Sequence, residues 1–168
     1  MEVVLGQDRA ERAHHGLEIL TLVVRGQADD EAHARIIAAV PAKLPTNTEL
    51  AERFELLADM LELDGADAFR LAAYRRAAAR IRESAVPVAQ LAVDGKAKRL
   101  SGIGGTIEGK IVEVVETGDM NALAKLRAKL PPGLVDVMHV PGLGPKTARK
   151  LWAELGVEDL DGLRAAAE

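Results

Sequence analysis

The sequence predicts an all-α fold, an array of short helices in which a helix-hairpin-helix motif occurs twice. Three observations lead there. Only 2% of the 168 residues are aromatic while 48% are hydrophobic. The core must then be built from Leu, Ile, Val and Ala, which suits packed helices better than a β-sandwich. Apolar residues recur at helical spacing, as in Leu50, Phe54, Leu57 and Leu61. A glycine–apolar–glycine turn appears twice, each time ahead of an amphipathic helix.

The length admits one domain or two small ones, with a usable helical core. The absence of cysteine excludes disulfides, thiolate zinc sites and cysteine nucleophiles together. Four scattered histidines make a poor metal site. The longest apolar stretch, Leu17 to Val24, contains Glu18 and is too short to cross a bilayer. With no secretory pattern at the N-terminus, the expectation is a cytoplasmic protein without membrane attachment.

Taken in order, residues 1–44 read as an N-terminal helical segment without a signature. Asp29 or Asp30 caps a helix running to about Val40, with Ala34, Ile37 and Ala38 on one face. The run Leu17 to Val24 fits a helix or a strand equally. His14 and His15 are adjacent and cannot share a helix face. Pro41 to Thr48 reads as a linker. Thr46 and Glu49 have capping-box spacing and open the next helix, which Gly65 stops. A second helix follows from about Asp67, with Phe69, Ala73, Ala77 and Ile81 on one face and Arg75, Arg76, Arg80 and Arg82 on the other. Pro87 ends it, and a short helix over Val88 to Val93 closes at Gly95.

Then the chain repeats itself. Leu100-Ser101-Gly102-Ile103-Gly104 leads into a helix with Ile107, Ile111 and Val114. Val140-Pro141-Gly142-Leu143-Gly144 leads into one with Ala148, Leu151, Trp152 and Leu155. The separation leaves room for two helices in between. The expected division is 47–130 for a domain holding the first motif and 131–168 for a subdomain holding the second.

The net charge of −4 argues against nucleic acid only until its distribution is seen. From Lys96 to Trp152 there are 10 Lys and Arg against 5 Asp and Glu. The remaining segments carry an acidic excess: 5 against 7 over residues 1–46, 6 against 9 over 47–95, and 1 against 5 over 153–168. Phosphate contacts are local and screened, so the distribution decides more than the sum.

The chemistry of such turns is simple. Gly102 and Gly104 permit unusual backbone conformations and let a phosphate approach the main chain. The helix that follows offers unpaired N–H groups and a positive dipole end. Thr106 adds a hydroxyl donor, and Lys110 lies about one helical turn further on. In the second copy Lys146 and Arg149 take comparable places after Gly142 and Gly144, with Pro145 suited to the first turn. A dinucleotide-binding fold is rejected: it needs a buried strand before the turn and a third glycine after it, and here Lys96 to Arg99 and Ile107 stand in those places. Trp152 stands four residues after Ala148 on an apolar face, which favours core packing over base stacking. With so few aromatics, sequence-independent backbone binding fits better than base readout.

From about Asn47 to Ala167 the chain resembles the N-terminal part of bacterial family X DNA polymerases, relatives of DNA polymerase beta. The motifs are Phe69-Arg70-x-x-Ala73-Tyr74-Arg75-Arg76-Ala77-Ala78, then the two glycine turns, the second continuing as Pro145-Lys146-x-Ala148-Arg149-Lys150. The resemblance implies a helical domain that grips the 5′-phosphate side of a DNA gap in repair, and a second hairpin that holds the primer-side backbone. It implies a monovalent cation, sodium or potassium, on main-chain carbonyls, which by position belong to Lys98, Leu100 and Ile103 and to Met138, Val140 and Leu143. It also implies a 5′-deoxyribose phosphate lyase, in which a lysine forms a Schiff base with the sugar aldehyde. Lys110 matches that lysine and Tyr74 a tyrosine near the sugar; Arg70 and Lys98 match basic residues at the 5′-phosphate, with Arg99 beside them. Two departures bear on the lyase: Gly109 stands where polymerase beta has an acidic residue, and Thr106 where it has a lysine. Lys110 thus has two readings, a nucleophile with enough neutral amine or a surface lysine on the DNA backbone. Tyr74 likewise reads as a site residue or as a core residue whose hydroxyl reaches the surface.

Nucleotidyl transfer in the family needs a palm domain with metal-binding carboxylates, and no such set is visible in this chain. Asp159-x-Asp161 sits at a helix start and reads as a cap. No polymerase activity is expected from the chain alone. Two functional readings follow: a gap- or 5′-phosphate-recognising DNA module with a lyase, or a non-enzymatic DNA-binding adaptor that docks a protein partner through residues 1–44.

Overall fold

The computed structural model describes residues 43–168; the expected helix up to Val40, the run Leu17 to Val24 and the His14–His15 pair lie outside them. The first described helix, α1 (Asn47–Leu63), starts where the sequence predicts. The Thr46 hydroxyl accepts from the Glu49 N–H at 3.2 Å, and the Glu49 carboxylate accepts from the Thr46 N–H at 2.6 Å. This reciprocal pair satisfies two donors that a helix start leaves open. It also holds the Glu49 carboxyl below its ordinary range, chiefly through the Thr46 backbone bond. Leu50, Phe54, Leu57 and Leu61 are buried, and Gly65, at φ +85°, makes the left-handed turn that ends the helix.

The next helix, α2 (Ala68–Arg82), is capped by Asp67, whose carboxylate accepts from the Arg70 N–H at 2.9 Å. It lies antiparallel to α1, as the ion pairs show: Arg75 meets Asp59 and Glu62, and Arg82, further along α2, meets Glu55, further back on α1. The expected apolar face of α2 is corrected. Leu71, Tyr74, Ala77, Ala78 and Ile81 are buried, whereas Phe69 is 80% exposed. The expectation stepped by four residues throughout, and on a helix of 3.6 residues per turn that drifts by roughly 40° per step. Three such steps carry Phe69 out of the face that Ile81 shares with Leu71 and Tyr74. The Tyr74 ring instead packs on Phe54, centroids 6.3 Å apart.

Pro87 does not end α2, which stops at Arg82 with Glu83 as its C-cap. Pro87 begins α3 (Val88–Val93) as its N-cap. The loop between is latched by Asn47, whose amide donates to the Ser84 and Val86 carbonyls at 3.0 and 2.9 Å and accepts from the Val88 N–H at 2.8 Å. A single 3-10 turn (Ala97–Arg99) then leads to α4 (Gly105–Thr117), and α5 (Asn121–Lys129), α6 (Leu134–Met138), α7 (Pro145–Leu155) and α8 (Leu160–Ala167) follow. Among the described residues there is no strand, and no helix is long and apolar enough to cross a membrane. The fold is all-α, as expected. Helix α1 is its hub, touching α2, α3, α5, α6 and α7, while α3 packs on α4 and α6 on α7.

Candidate nucleic-acid interface

Both glycine turns adopt one backbone conformation. Gly102 has φ +87° and Gly142 φ +88°, a region open to glycine at little cost. The Leu100 carbonyl accepts from the Ile103 N–H at 3.0 Å, and the Val140 carbonyl from the Leu143 N–H at 2.9 Å. One turn later the Glu108 N–H donates to the Gly104 carbonyl and the Ala148 N–H to the Gly144 carbonyl, both at 2.9 Å. The second glycine of each turn has a different reason for being there than expected. Gly104 (φ −83°, ψ 174°) and Gly144 (φ −111°, ψ 179°) are in extended backbone open to any residue. A Cβ on either would meet nothing within 4 Å, so the missing side chain leaves the helix start approachable from outside. Neither α4 nor α7 has a side-chain cap. Their first-turn N–H groups are left without a side-chain acceptor, at the positive end of the helix dipole.

Matching the turns residue by residue aligns Thr106 with Lys146, Glu108 with Ala148, Gly109 with Arg149, and Lys110 with Lys150. The register-equivalent of Lys110 is therefore Lys150, which the sequence reading passed over in favour of Arg149. Lys110 is half-buried in the second turn of α4. Lys150 is exposed, with its ammonium 3.9 Å from Glu154.

Around the first turn, Lys98 is tied down. Its ammonium lies 2.9 Å from the Glu108 carboxylate, and its N–H donates to the same carboxylate at 3.3 Å. Glu108, unremarked in the sequence, thus clamps the 3-10 turn to α4. Arg99 and Thr106 are exposed, as is Arg70 at the start of α2. Tyr74 is 5% exposed, which favours the core reading of its ring; no hydrogen bond joins it to Lys110 among the described residues. At the second turn Lys146 and Arg149 are exposed, and a Cβ on Gly65 would be 3.4 Å from the Arg149 guanidinium. Arg149 therefore reaches the turn that follows α1.

The arginines of α2 divide between two tasks. Arg75 and Arg82 pair with α1, and the hydrogen bonds that Arg75 donates to Glu62 and then to Asp59 raise its pKa above the ordinary value. Arg76 and Arg80 instead line an open groove of about 650 Å³ between α2 and the first glycine turn. Its other walls are Ala73, Ala79, Glu83, Ser101, Gly102, Gly104 and Ile107. The basic face of α2 was legible in the sequence; its split was not, because it depends on where α1 lies.

The carbonyls of Leu100 and Val140 each accept one hydrogen bond within their turn and retain a second lone pair. Hard main-chain oxygens are the donor type that hard cations prefer, so both turns fit such an ion chemically. No cluster of three His, Cys, Asp or Glu side chains suited to a metal occurs among the described residues. As expected, Asp159 is a cap: its carboxylate accepts from the Gly162 N–H at 2.8 Å, while Asp161 pairs with Arg164.

Residues 45–120 match the helix-hairpin-helix domain family. Over 120 residues, 71% of this chain, it is 33% identical to the DNA polymerase/3'-5' exonuclease PolX of Bacillus subtilis (strain 168), of which it spans 20%. By fold and by family match, the described region is a helix-hairpin-helix protein. Within that class, the two matches support a helix-hairpin-helix region of a family X DNA polymerase.

Proposed function

We propose that the chain binds DNA without regard to sequence at gaps and 5′-phosphate ends, as the end-gripping part of a family X polymerase acting in repair. The observation that carries the reading is the pair of superposable glycine turns, each presenting an uncapped helix start beside basic side chains. Such a start is an anion site by its N–H groups and dipole together. Gly102, Gly104, Thr106, Lys98, Arg99 and Arg70 hold the 5′-phosphate strand; Gly142, Gly144, Lys146 and Arg149 hold the opposite side of the gap. A sodium or potassium ion on the carbonyls of Lys98, Leu100 and Ile103, and of Met138, Val140 and Leu143, would supply positive charge beside the phosphate.

Lys110 is the proposed nucleophile of a 5′-deoxyribose phosphate lyase. Its neutral amine adds to the sugar C1′ aldehyde, and loss of water leaves an imine. Removal of a C2′ proton then expels the phosphate by breaking the C3′–O bond, and water returns the amine. Tyr74 is proposed near the sugar only through its hydroxyl, since its ring packs in the core on Phe54. The support for Lys110 is its half-buried place in the second turn after the uncapped start of α4.

The test is borohydride trapping on gapped DNA bearing a 5′-deoxyribose phosphate, with binding measured in parallel. The expected result is a covalent adduct in the wild type that Lys110→Ala loses while still binding DNA. Binding without an adduct in the wild type removes the lyase. Affinity indifferent to both salt and the 5′-phosphate removes the end-gripping reading as well.

A further inference from the structure

Arg76 and Arg80, which line the groove between α2 and the first glycine turn, have no part in the assignments above. We infer that the groove is a second wall of the strand-binding site, in which Arg76 and Arg80 take the sugar–phosphate chain of a single DNA strand as it leaves the first hairpin. This deepens the DNA-binding reading and rests on it.

Three features of the groove point to that ligand. Its charge is set by residues that the fold leaves available. Arg75 and Arg82 are engaged by α1 carboxylates, whereas Arg76 has no ion pair among the described residues and Arg80 has only a loose one, 3.6 Å from Glu83. Arg76 and Arg80 are four residues apart, so their stems leave one side of α2 about 6 Å from each other along the axis. That side faces the hairpin, because a Cβ on Gly102 would lie 3.5 Å from the Arg80 Cγ.

The lining chemistry narrows the ligand. Ala73, Ala79 and Ile107 contribute apolar floor, Ser101, Gly102 and Gly104 contribute hydroxyl and backbone, and Glu83, beside Arg80, is the one carboxylate of the lining, set against two guanidinium groups. A chain with an apolar sugar face and repeating phosphates matches this mixture of floor and fork-shaped donors. A large aromatic surface does not, since no aromatic side chain lines the groove on which a base would stack. The volume, about 650 Å³, lies within the range of small-ligand sites, roughly 300–1,000 Å³. The groove is open to solvent and not enclosed, which suits a chain lying in it more than a buried small ligand.

The experiment measures affinity of the 168-residue chain for gapped DNA against salt concentration, for the wild type, Arg76→Gln/Arg80→Gln and Gly104→Val. Gln keeps the helix propensity of α2, and Gly104 tolerates a side chain in its extended backbone. Each single-strand phosphate contact contributes roughly 0.7 to the slope of log affinity on log salt. The double arginine variant should therefore lose about 1.4 from the slope, and lose affinity more on DNA with an unpaired strand at the gap than on blunt duplex. Gly104→Val should weaken binding on both. An unchanged slope in the arginine variant while Gly104→Val loses affinity overturns the groove and leaves the hairpin reading standing. Wild-type affinity that does not respond to salt overturns both. A slope lost by the arginine variant equally on both DNAs assigns the arginines to duplex and overturns the single-strand ligand.

Discussion

The two glycine turns share a backbone and differ in what surrounds it. The first is followed by a helix whose apolar stripe is covered: Ile107, Ile111, Val114 and Val115 of α4 are all buried. The second is followed by a helix with only Ala148 buried; Leu151 and Trp152 of α7 are half-buried and Leu155 is 61% exposed. The first turn faces α2 across a groove and has its preceding segment clamped by Glu108. At the second, Ala148 stands where Glu108 would be, and Arg149 reaches away to Gly65. The motif therefore dictates a conformation and an uncapped helix start. Neighbours that no local pattern encodes decide how firmly that start is held and what shares its surface.

The largest effect separating the turns is in the cores beneath them. Ile111 and Leu151 are register equivalents, the former fully buried and the latter half-buried. Ile111→Ala should destabilise the chain by about 2–5 kcal/mol, the usual range for a buried large-to-small change. Leu151→Ala should cost distinctly less, on the order of 1 kcal/mol, since less apolar area leaves water there. Urea unfolding of both variants checks this. Equal losses would mean that α7 is as firmly anchored as α4, and the asymmetry drawn here would fail.

What could be read from sequence divides along the same line between local and distant causes. The Thr46–Glu49 box, the stop at Gly65, the Asp159 cap and both glycine turns were legible because each is decided within a few residues. The buried face of α2 was misread because a step of four residues fits a short helix almost as well as the true stripe. Its arginines looked alike in sequence; only α1, with Asp59, Glu62 and Glu55, separates Arg75 and Arg82 from Arg76 and Arg80. Glu108 escaped notice because its partner, Lys98, lies on the far side of the turn. The groove belongs to the same class: its walls come from segments more than fifteen residues apart, and no periodicity brings them together.

A smaller effect tests whether the common backbone matters equally at both turns. Gly102→Ala and Gly142→Ala each force a side chain into the left-handed region, costing about 1–2 kcal/mol. Neither new Cβ meets an atom closer than ordinary contact, so their effects on stability should be similar. Their effects on binding should differ. The new Cβ at Gly102 lies against Arg80, whereas at Gly142 it meets open space. Gly102→Ala should reduce affinity for gapped DNA more than Gly142→Ala at equal stability loss. The reverse order would make the second turn the principal grip.

The smallest effect contrasts a helix that caps itself with the two that do not. Helix α1 closes its start with Thr46 and Glu49, whereas α4 and α7 begin at Gly104 and Gly144 with no side-chain acceptor. Because the box lowers the Glu49 pKa in the folded chain, Glu49 binds a proton more readily when unfolded. Its contribution is therefore fully present above the unfolded pKa and is lost as pH falls through the lower, folded value. Stability of the wild type measured between about pH 7 and pH 3 should decline on the acid side, with Glu49→Gln removing a small part of that decline. A variant that leaves the acid limb unchanged would show that the box is not coupled to global unfolding. The starts of α4 and α7 should respond differently again, since their acceptor is an external phosphate. Added 5′-phosphorylated gapped DNA should raise the melting temperature at neutral pH by mass action, and Gly104→Val should blunt that rise while leaving the Glu49 limb intact.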